Sequence, residues 1–163
     1  MSDIANRRIA IAAAVVFVLD QLTKTLVLRY FSADEEKVLL DGFFKFVNWG
    51  NTGAAWSLFY DNNLLLALVS ALALAGLIRW RRHFDTRTLA GQMALGLIIG
   101  GILGNLLDRL IRHQVVDFLR FYLYQRDGHE IGFPAFNIAD SAICVGVALL
   151  VLGSFAAEKK AEA

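Results

Sequence analysis

The chain has 163 residues, 57% of them hydrophobic, with a single proline and a formal net charge of +1, and its mean hydropathy is +0.53. That apolar content exceeds what a soluble core of this length can hide, so composition excludes a soluble globular domain and places the chain in a membrane. The near-zero charge gives no electrostatic footprint for a nucleic-acid partner.

The first apolar segment, about 9–28, has the roughly 20 residues that a membrane-spanning helix needs. Arg7 and Arg8 precede it as they would in a signal peptide, but no small-residue cleavage pattern follows, and the segment reads as a mature helix. Asp20 and Lys24 lie inside it, roughly 16 and 22 Å beyond Ile9 at 1.5 Å per residue. A charge at the centre of a span costs about 2.5 to 3.5 kcal/mol. One turn apart, the two neutralise each other, which alone permits insertion; the functional alternative is a pair that anchors the outer loop and shapes a site.

In the loop that follows, about 29–63, the run from Val38 to Trp49 is rich in aromatic and branched residues and predicts strands with a turn at Gly42. Asn51-Thr52-Gly53-Ala54-Ala55-Trp56 reads as a turn whose small residues also let backbone approach a bound chain. A second helix, the shortest, is predicted at about 64–80. The third, about 89–109, carries Gly96, Gly100 and Gly104 at four-residue steps, plus Gly101, a stripe that lets another helix come close. Gly101, Asn105 and Arg109 share one face that leads to its end. Asp108 and Arg112 read as an ordinary pair on the surface of that helix.

The second long loop, about 110–136, contains Val115-Val116-Asp117-Phe118-Leu119-Arg120-Phe121-Tyr122, another strand pattern, and an Asp127-Gly128 turn. Pro134-Ala135-Phe136-Asn137-Ile138-Ala139-Asp140 then opens the fourth helix, about 137–157, with Asn137 as a cap and Asp140 at the positive end of the dipole. Cys144 inside it reads as packing, and Glu158-Lys159-Lys160 as a solvated end. His83, His113 and His129 show no metal-ligand spacing, so no metal or other cofactor is expected.

These elements make one domain, 1–163: an all-α membrane protein with four transmembrane helices and a small antiparallel β-sheet in the extracytoplasmic loops. Basic residues mark the cytoplasmic side. Arg7, Arg8, Arg79, Arg81, Arg82, Arg87, Lys159 and Lys160 crowd short segments on the terminal side, whereas Arg29, Lys37, Lys45, Arg109, Arg112, Arg120 and Arg126 spread over two long loops, so both termini are expected inside. Asp20, Lys24, Asn51, Asn105, Asp108, Arg109, Asp117, Asn137 and Asp140 then converge on one layer at the outer edge of the membrane.

Two carboxylates at a membrane edge, Asp117 and Asp140, point to an aspartyl protease. Each has a plain alternative, an ordinary loop acid for Asp117 and a helix-start acid for Asp140. A proton-coupled transporter using Asp20 and Lys24 should carry polar residues through the inner halves of several helices, which are apolar here. An assembly protein would need the glycine stripe and none of the polar layer, and a serine peptidase on Ser57 or Ser141 lacks the spacing of a nucleophile elbow or a Ser-Lys pair.

Taken together, Asp20-Gln21-Leu22-Thr23-Lys24, Asn51-Thr52-Gly53-Ala54-Ala55, the run from Gly100 to Arg109, Val115-Val116-Asp117-Phe118 and Phe136-Asn137-Ile138-Ala139-Asp140 resemble signal peptidase II, the lipoprotein signal peptidase of bacterial cytoplasmic membranes. The resemblance spans the chain from Asp20 to Asp140 and departs at Trp56, where the family usually has phenylalanine. It implies a catalytic pair of Asp117 and Asp140, with Asp20, Lys24, Asn51, Gly101, Asn105, Arg109, Asn137 and Ala139 lining or supporting the site. It further implies a multi-pass inner-membrane enzyme, with membrane lipid around it and its site at the outer leaflet edge. The implied substrate is a prolipoprotein with a diacylglyceryl cysteine, cut just before that cysteine, and the implied inhibitor is globomycin.

Overall fold

The computed structural model describes residues 3–53, 62–84 and 86–161 of the chain. Four helices, α1 (Asp3–Tyr30), α2 (Asn63–Trp80), α3 (Leu89–Ile111) and α4 (Ile138–Ala161), are each long and apolar enough to cross a membrane. They overrun the expected bounds at several ends because polar residues continue them. At the start of α1, Ala5 is buried and the Arg8 guanidinium donates to Gln92 Oε1 on α3 at 3.4 Å. A 3-10 turn, Arg81–His83, follows α2. Asn137 lies before α4 rather than in it.

The buried residues of α1, Ile9, Ala13, Val16, Asp20, Lys24 and Val27, recur every three or four positions and so make a single stripe. That stripe meets the glycines of α3. A Cβ on Gly96 would lie 2.9 Å from the Ile9 carbonyl oxygen, one on Gly100 2.5 Å from that of Ala13, and one on Gly104 would collide with Asp20 Oδ2. Gly101 faces the other way, where a Cβ would come within 2.5 Å of the Ala139 carbonyl oxygen on α4. The predicted close approach therefore occurs on two faces, and α3 is the axis on which α1, α4 and, less extensively, α2 pack.

α2 buries only Leu66 and Ala67; Leu64, Leu68 and Leu72 face outward. Cys144 is also exposed, on the outward side of α4, which corrects its reading as a packing residue. An apolar thiol has no reason to turn inward when the surroundings of the helix are themselves apolar.

Between the helices the chain forms β1 (Glu36–Leu40), β2 (Phe44–Asn51), β3 (Val115–Tyr124) and β4 (Glu130–Gly132), an antiparallel sheet in the order β1-β2-β3-β4. Gly42 at φ +68° and Gly128 at φ +83° make the turns where the sequence placed them. Lys45, on β2, joins Glu36 at 2.5 Å and Glu130 at 2.7 Å and lies over the Tyr122 ring, so one ammonium ties all four strands. Burial opposes the charge of Lys45, yet its hydrogen bonds and ion pairs with Glu130 and Glu36 win and hold its pKa above the usual lysine value.

The sheet rests on one end of the bundle through Val27, Val116 and Phe118, joined by Phe31, Phe46, Leu119 and Ile138. Phe136 pairs with β3, its N–H donating to the Leu119 carbonyl at 3.0 Å and its carbonyl accepting from Leu119 at 2.9 Å. This pairing draws the start of α4 against β3. An irregularity in the β2–β3 register falls between Phe46 and Trp49, beside the pairing of Trp49 with Asp117; such bulges re-aim nearby side chains.

Candidate active site

Asp117 projects from β3 and Asp140 from the first turn of α4, and two asparagines connect them. Asn137 Nδ2 donates to Asp117 Oδ1 at 2.8 Å, while its Oδ1 accepts the Asp140 N–H at 2.9 Å. In return the Asn137 N–H donates to Asp140 Oδ2 at 3.2 Å. This is a reciprocal cap of the kind that closes many helix starts. Here its acidic member is also half of the pair of acids, so the plain and functional readings of Asn137 and Asp140 describe the same contacts.

Asn105, one helical turn beyond Gly101 on α3, sends Nδ2 to Asp140 Oδ1 at 2.7 Å. Its Oδ1 accepts from Lys24 Nζ at 2.8 Å and from Asn137 Nδ2 at 3.2 Å. With two donors aimed at that oxygen, the amide has one orientation, and its NH2 must face Asp140. Asn51 holds the other acid, donating to Asp117 Oδ2 at 2.9 Å, and its own Oδ1 accepts the Gly53 N–H at 2.9 Å.

Arg109, at the end of the same face of α3, donates Nη2 to the Gly53 carbonyl at 2.8 Å. Its Nε and Nη1 are buried without a partner among the described residues, and it feels the charges of Asp117 and Asp140. Buried guanidinium N–H groups left unpaired are costly, so they are donors available to an incoming carbonyl. Thr52 and Gly53 are described, whereas Ala54, Ala55, Trp56 and Ser57, which the sequence reading also singled out, lie outside the described residues.

Asp20 and Lys24 are fully buried and 2.8 Å apart, as their spacing predicted. Asp20 Oδ1 accepts the Ala139 N–H at 3.0 Å, and Lys24 makes a second ion pair, with Asp108 Oδ2, at 2.8 Å. Asp108 is not on the helix surface as expected: it is fully buried, and only its partner Arg112 reaches solvent. The difference arises because α1 and the start of β3 cover that end of α3.

All ten residues singled out from the sequence for the site thus meet in one connected cluster. Two further members, Gln21 and Asp108, stand outside those ten, although Asp108 was expected in the same layer. Gln21 joins Asp20 Oδ2, the Gly104 carbonyl and Asp108 Oδ1 through one amide nitrogen, at 3.2, 3.2 and 3.1 Å. Nothing in its position beside Asp20 announces this. Asp108, by contrast, stands one turn beyond Gly104, on the stripe that meets α1, and that spacing was a usable signal.

Asp117 is 3% exposed. Burial, then the charge of Asp140, push its carboxyl up to about 7, against the hydrogen bonds from Asn51 and Asn137. Asp117 can therefore keep its proton close to neutral pH. Among the described residues no three His, Cys, Asp or Glu are grouped to hold a metal ion.

Residues 12–156 match the family described as signal peptidase (SPase) II. A lipoprotein signal peptidase of Geobacillus thermodenitrificans is 42% identical over 88% of this chain and 86% of its own. One from Shewanella loihica is 46% identical over 89% and 84%. A solved bacterial membrane enzyme superposes with a TM-score of 0.77 at 28% identity, covering 89% of this chain and 85% of that one.

Proposed function

From the membership of this chain in the signal peptidase II family, whose members process prolipoproteins and which makes it a multi-pass membrane peptidase, we propose that it is an aspartyl endopeptidase using Asp117 and Asp140. It removes the signal peptide from diacylglyceryl-modified prolipoproteins by cutting just before the lipidated cysteine. The observation that carries this reading is the mutual anchoring of the two carboxylates by Asn137 and Asn105, with Asp117 raised to about 7.

Two carboxyl groups held together near neutral pH share one proton, so one serves as base and the other as acid. The ionised member takes a proton from a water as its oxygen attacks the scissile carbonyl. The protonated member gives its proton to the carbonyl oxygen and recovers it as the tetrahedral intermediate collapses, while the other member passes the proton drawn from water to the leaving amine. Arg109, with two nitrogens unpaired among the described residues, and Asn51, tied to the Gly53 turn, hold the substrate backbone in register.

The sheet and the site lie at the outer leaflet, with both termini in the cytoplasm. The basic residues concentrated at the other end of the bundle support this orientation. Acyl chains of the modified cysteine stay in hydrocarbon while the peptide reaches the acids. An open apolar groove of about 410 Å3 on the sheet, lined by Phe43, Phe121, Leu123, Ile131 and Phe133, suits that lipid boundary.

Incubation of the purified protein with a lipid-modified precursor and its unmodified counterpart tests the reading. The expected result is cleavage of the modified form alone, lost in folded Asp117→Asn and Asp140→Asn. Near-parental turnover by either variant would overturn the assignment of the acids, and equal cleavage of both precursors would overturn the substrate.

A further inference from the structure

The buried charges behind the two acids are arranged with a symmetry that insertion into a membrane does not require. Asp20 and Lys24 already neutralise each other, so a second fully buried carboxylate on the same ammonium adds desolvation cost with no gain in charge balance. Asp108 is nevertheless there, and all its acceptor capacity is used. Its Oδ2 pairs with Lys24 at 2.8 Å and accepts the Val116 N–H at 3.3 Å. Its Oδ1 accepts from Gln21 at 3.1 Å and from Arg112.

Val116 immediately precedes Asp117. On the other side of Lys24, Asp20 accepts the N–H of Ala139, which immediately precedes Asp140. One ammonium thus joins two carboxylates, and each grips the backbone one residue before a reacting acid. The third contact of Lys24 fixes the Asn105 amide that donates to Asp140. The two acids come from different elements, β3 and α4; Phe136 and Asn137 join these on one side, and the Asp108–Lys24–Asp20 bridge joins them from behind.

Resting on the assignment of Asp117 and Asp140 as the reacting acids, we propose that Asp108 is a positioning residue that sets their separation, through Val116 on one side and Lys24 on the other. It touches neither substrate nor the reacting atoms. Its loss therefore affects the chemical step and leaves substrate binding alone.

The test compares kcat and KM on a lipid-modified precursor for the full chain and for Asp108→Asn, Asp108→Glu and Arg112→Gln, with thermal unfolding to establish that each is folded. Asp108→Asn removes the charge and one acceptor oxygen; Asp108→Glu keeps both but displaces them by a methylene. Misplacement on the ångström scale costs reacting groups about tenfold to a hundredfold. Both Asp108 variants should lose at least about tenfold in kcat with KM within about twofold of the parent. Arg112→Gln, which leaves the Val116 and Lys24 contacts intact, should keep parental kcat.

A folded Asp108→Glu or Asp108→Asn with parental kcat would overturn the proposal. So would a loss expressed in KM, an equal loss in Arg112→Gln, or a failure of both Asp108 variants to fold, which would make the residue structural alone. Asp117→Asn and Asp140→Asn run alongside separate the two failures. If these retain turnover, the assignment of the acids fails; if they are inactive while the Asp108 variants are parental, only the positioning role does.

Discussion

Burial and the neighbouring charge act on Asp117 in the same direction, and the raised pKa has consequences for both stability and rate. A carboxyl lifted from 3.8 to about 7 by folding is favourable as long as it stays protonated. Its contribution is full below pH 4 and is lost as pH rises through 7, when a charge must be held in a nearly closed site. Asp117→Asn has no such charge to acquire. Its unfolding midpoint should match or exceed the parent's at pH 8, and the difference should shrink as the pH falls towards 4. The ceiling is about 4 kcal/mol at 1.4 kcal/mol per unit, reduced by the hydrogen bonds from Asn51 and Asn137 that an amide accepts less well. A midpoint difference independent of pH would show that Asp117 does not carry the proton. In the parent, kcat should decline as pH rises past about 7, where the pair loses its shared proton.

Among the helices, α3 serves as a two-sided packing surface, and that role was written in its glycine spacing. A Cβ on Gly100 would lie 2.5 Å from the Ala13 carbonyl oxygen, which is backbone and cannot turn aside. Gly100→Ala should therefore separate α1 from α3 and destabilise the protein by about 1 to 3 kcal/mol, as overpacking does. At Gly153 on α4 a Cβ meets nothing within 4 Å, and Gly153→Ala should leave the thermal midpoint level or slightly raised. Equal midpoints for the two variants would show that the close approach is not needed. The strands were as legible as the helices, because Val38 to Trp49 and Val115 to Tyr122 are rich in strand-favouring aromatic and branched residues, with glycine turns at Gly42 and Gly128. The short β4, Glu130–Gly132, was not, because three residues carry no period and only pairing with Tyr122, Leu123 and Tyr124 makes them a strand. The burial of Asp108 was hidden for a related reason: helical periodicity shows which residues share a face, and the strand that covers that face arrives from elsewhere in the chain.

At the scale of the whole molecule, the ends of α1 and α3 and the start of α4 converge on the sheet, so the polar residues of four segments gather at one end of an otherwise apolar bundle. Charges such as Asp20 and Lys24 are tolerated at membrane depth only when they face the protein interior and pair, and both are fully buried. In the proposed function that end meets the exported precursor, whereas the basic residues Arg79, Arg81 and Arg87 lie by the α2–α3 connection at the other end, which a rule of positive charge inside would put in the cytoplasm. This orientation makes opposite predictions for two connections. In a Cys144→Ser background, a cysteine placed at Asp127, in the exposed β3–β4 turn, should react with a membrane-impermeant thiol reagent in intact cells. One placed at Thr86, between α2 and α3, should react only after the membrane is opened. Cleavage of a lipid-modified precursor by each variant would confirm that the folded enzyme is being labelled. Protection at 127 with labelling at 86 would invert the bundle and put the paired acids on the cytoplasmic side, away from exported precursors.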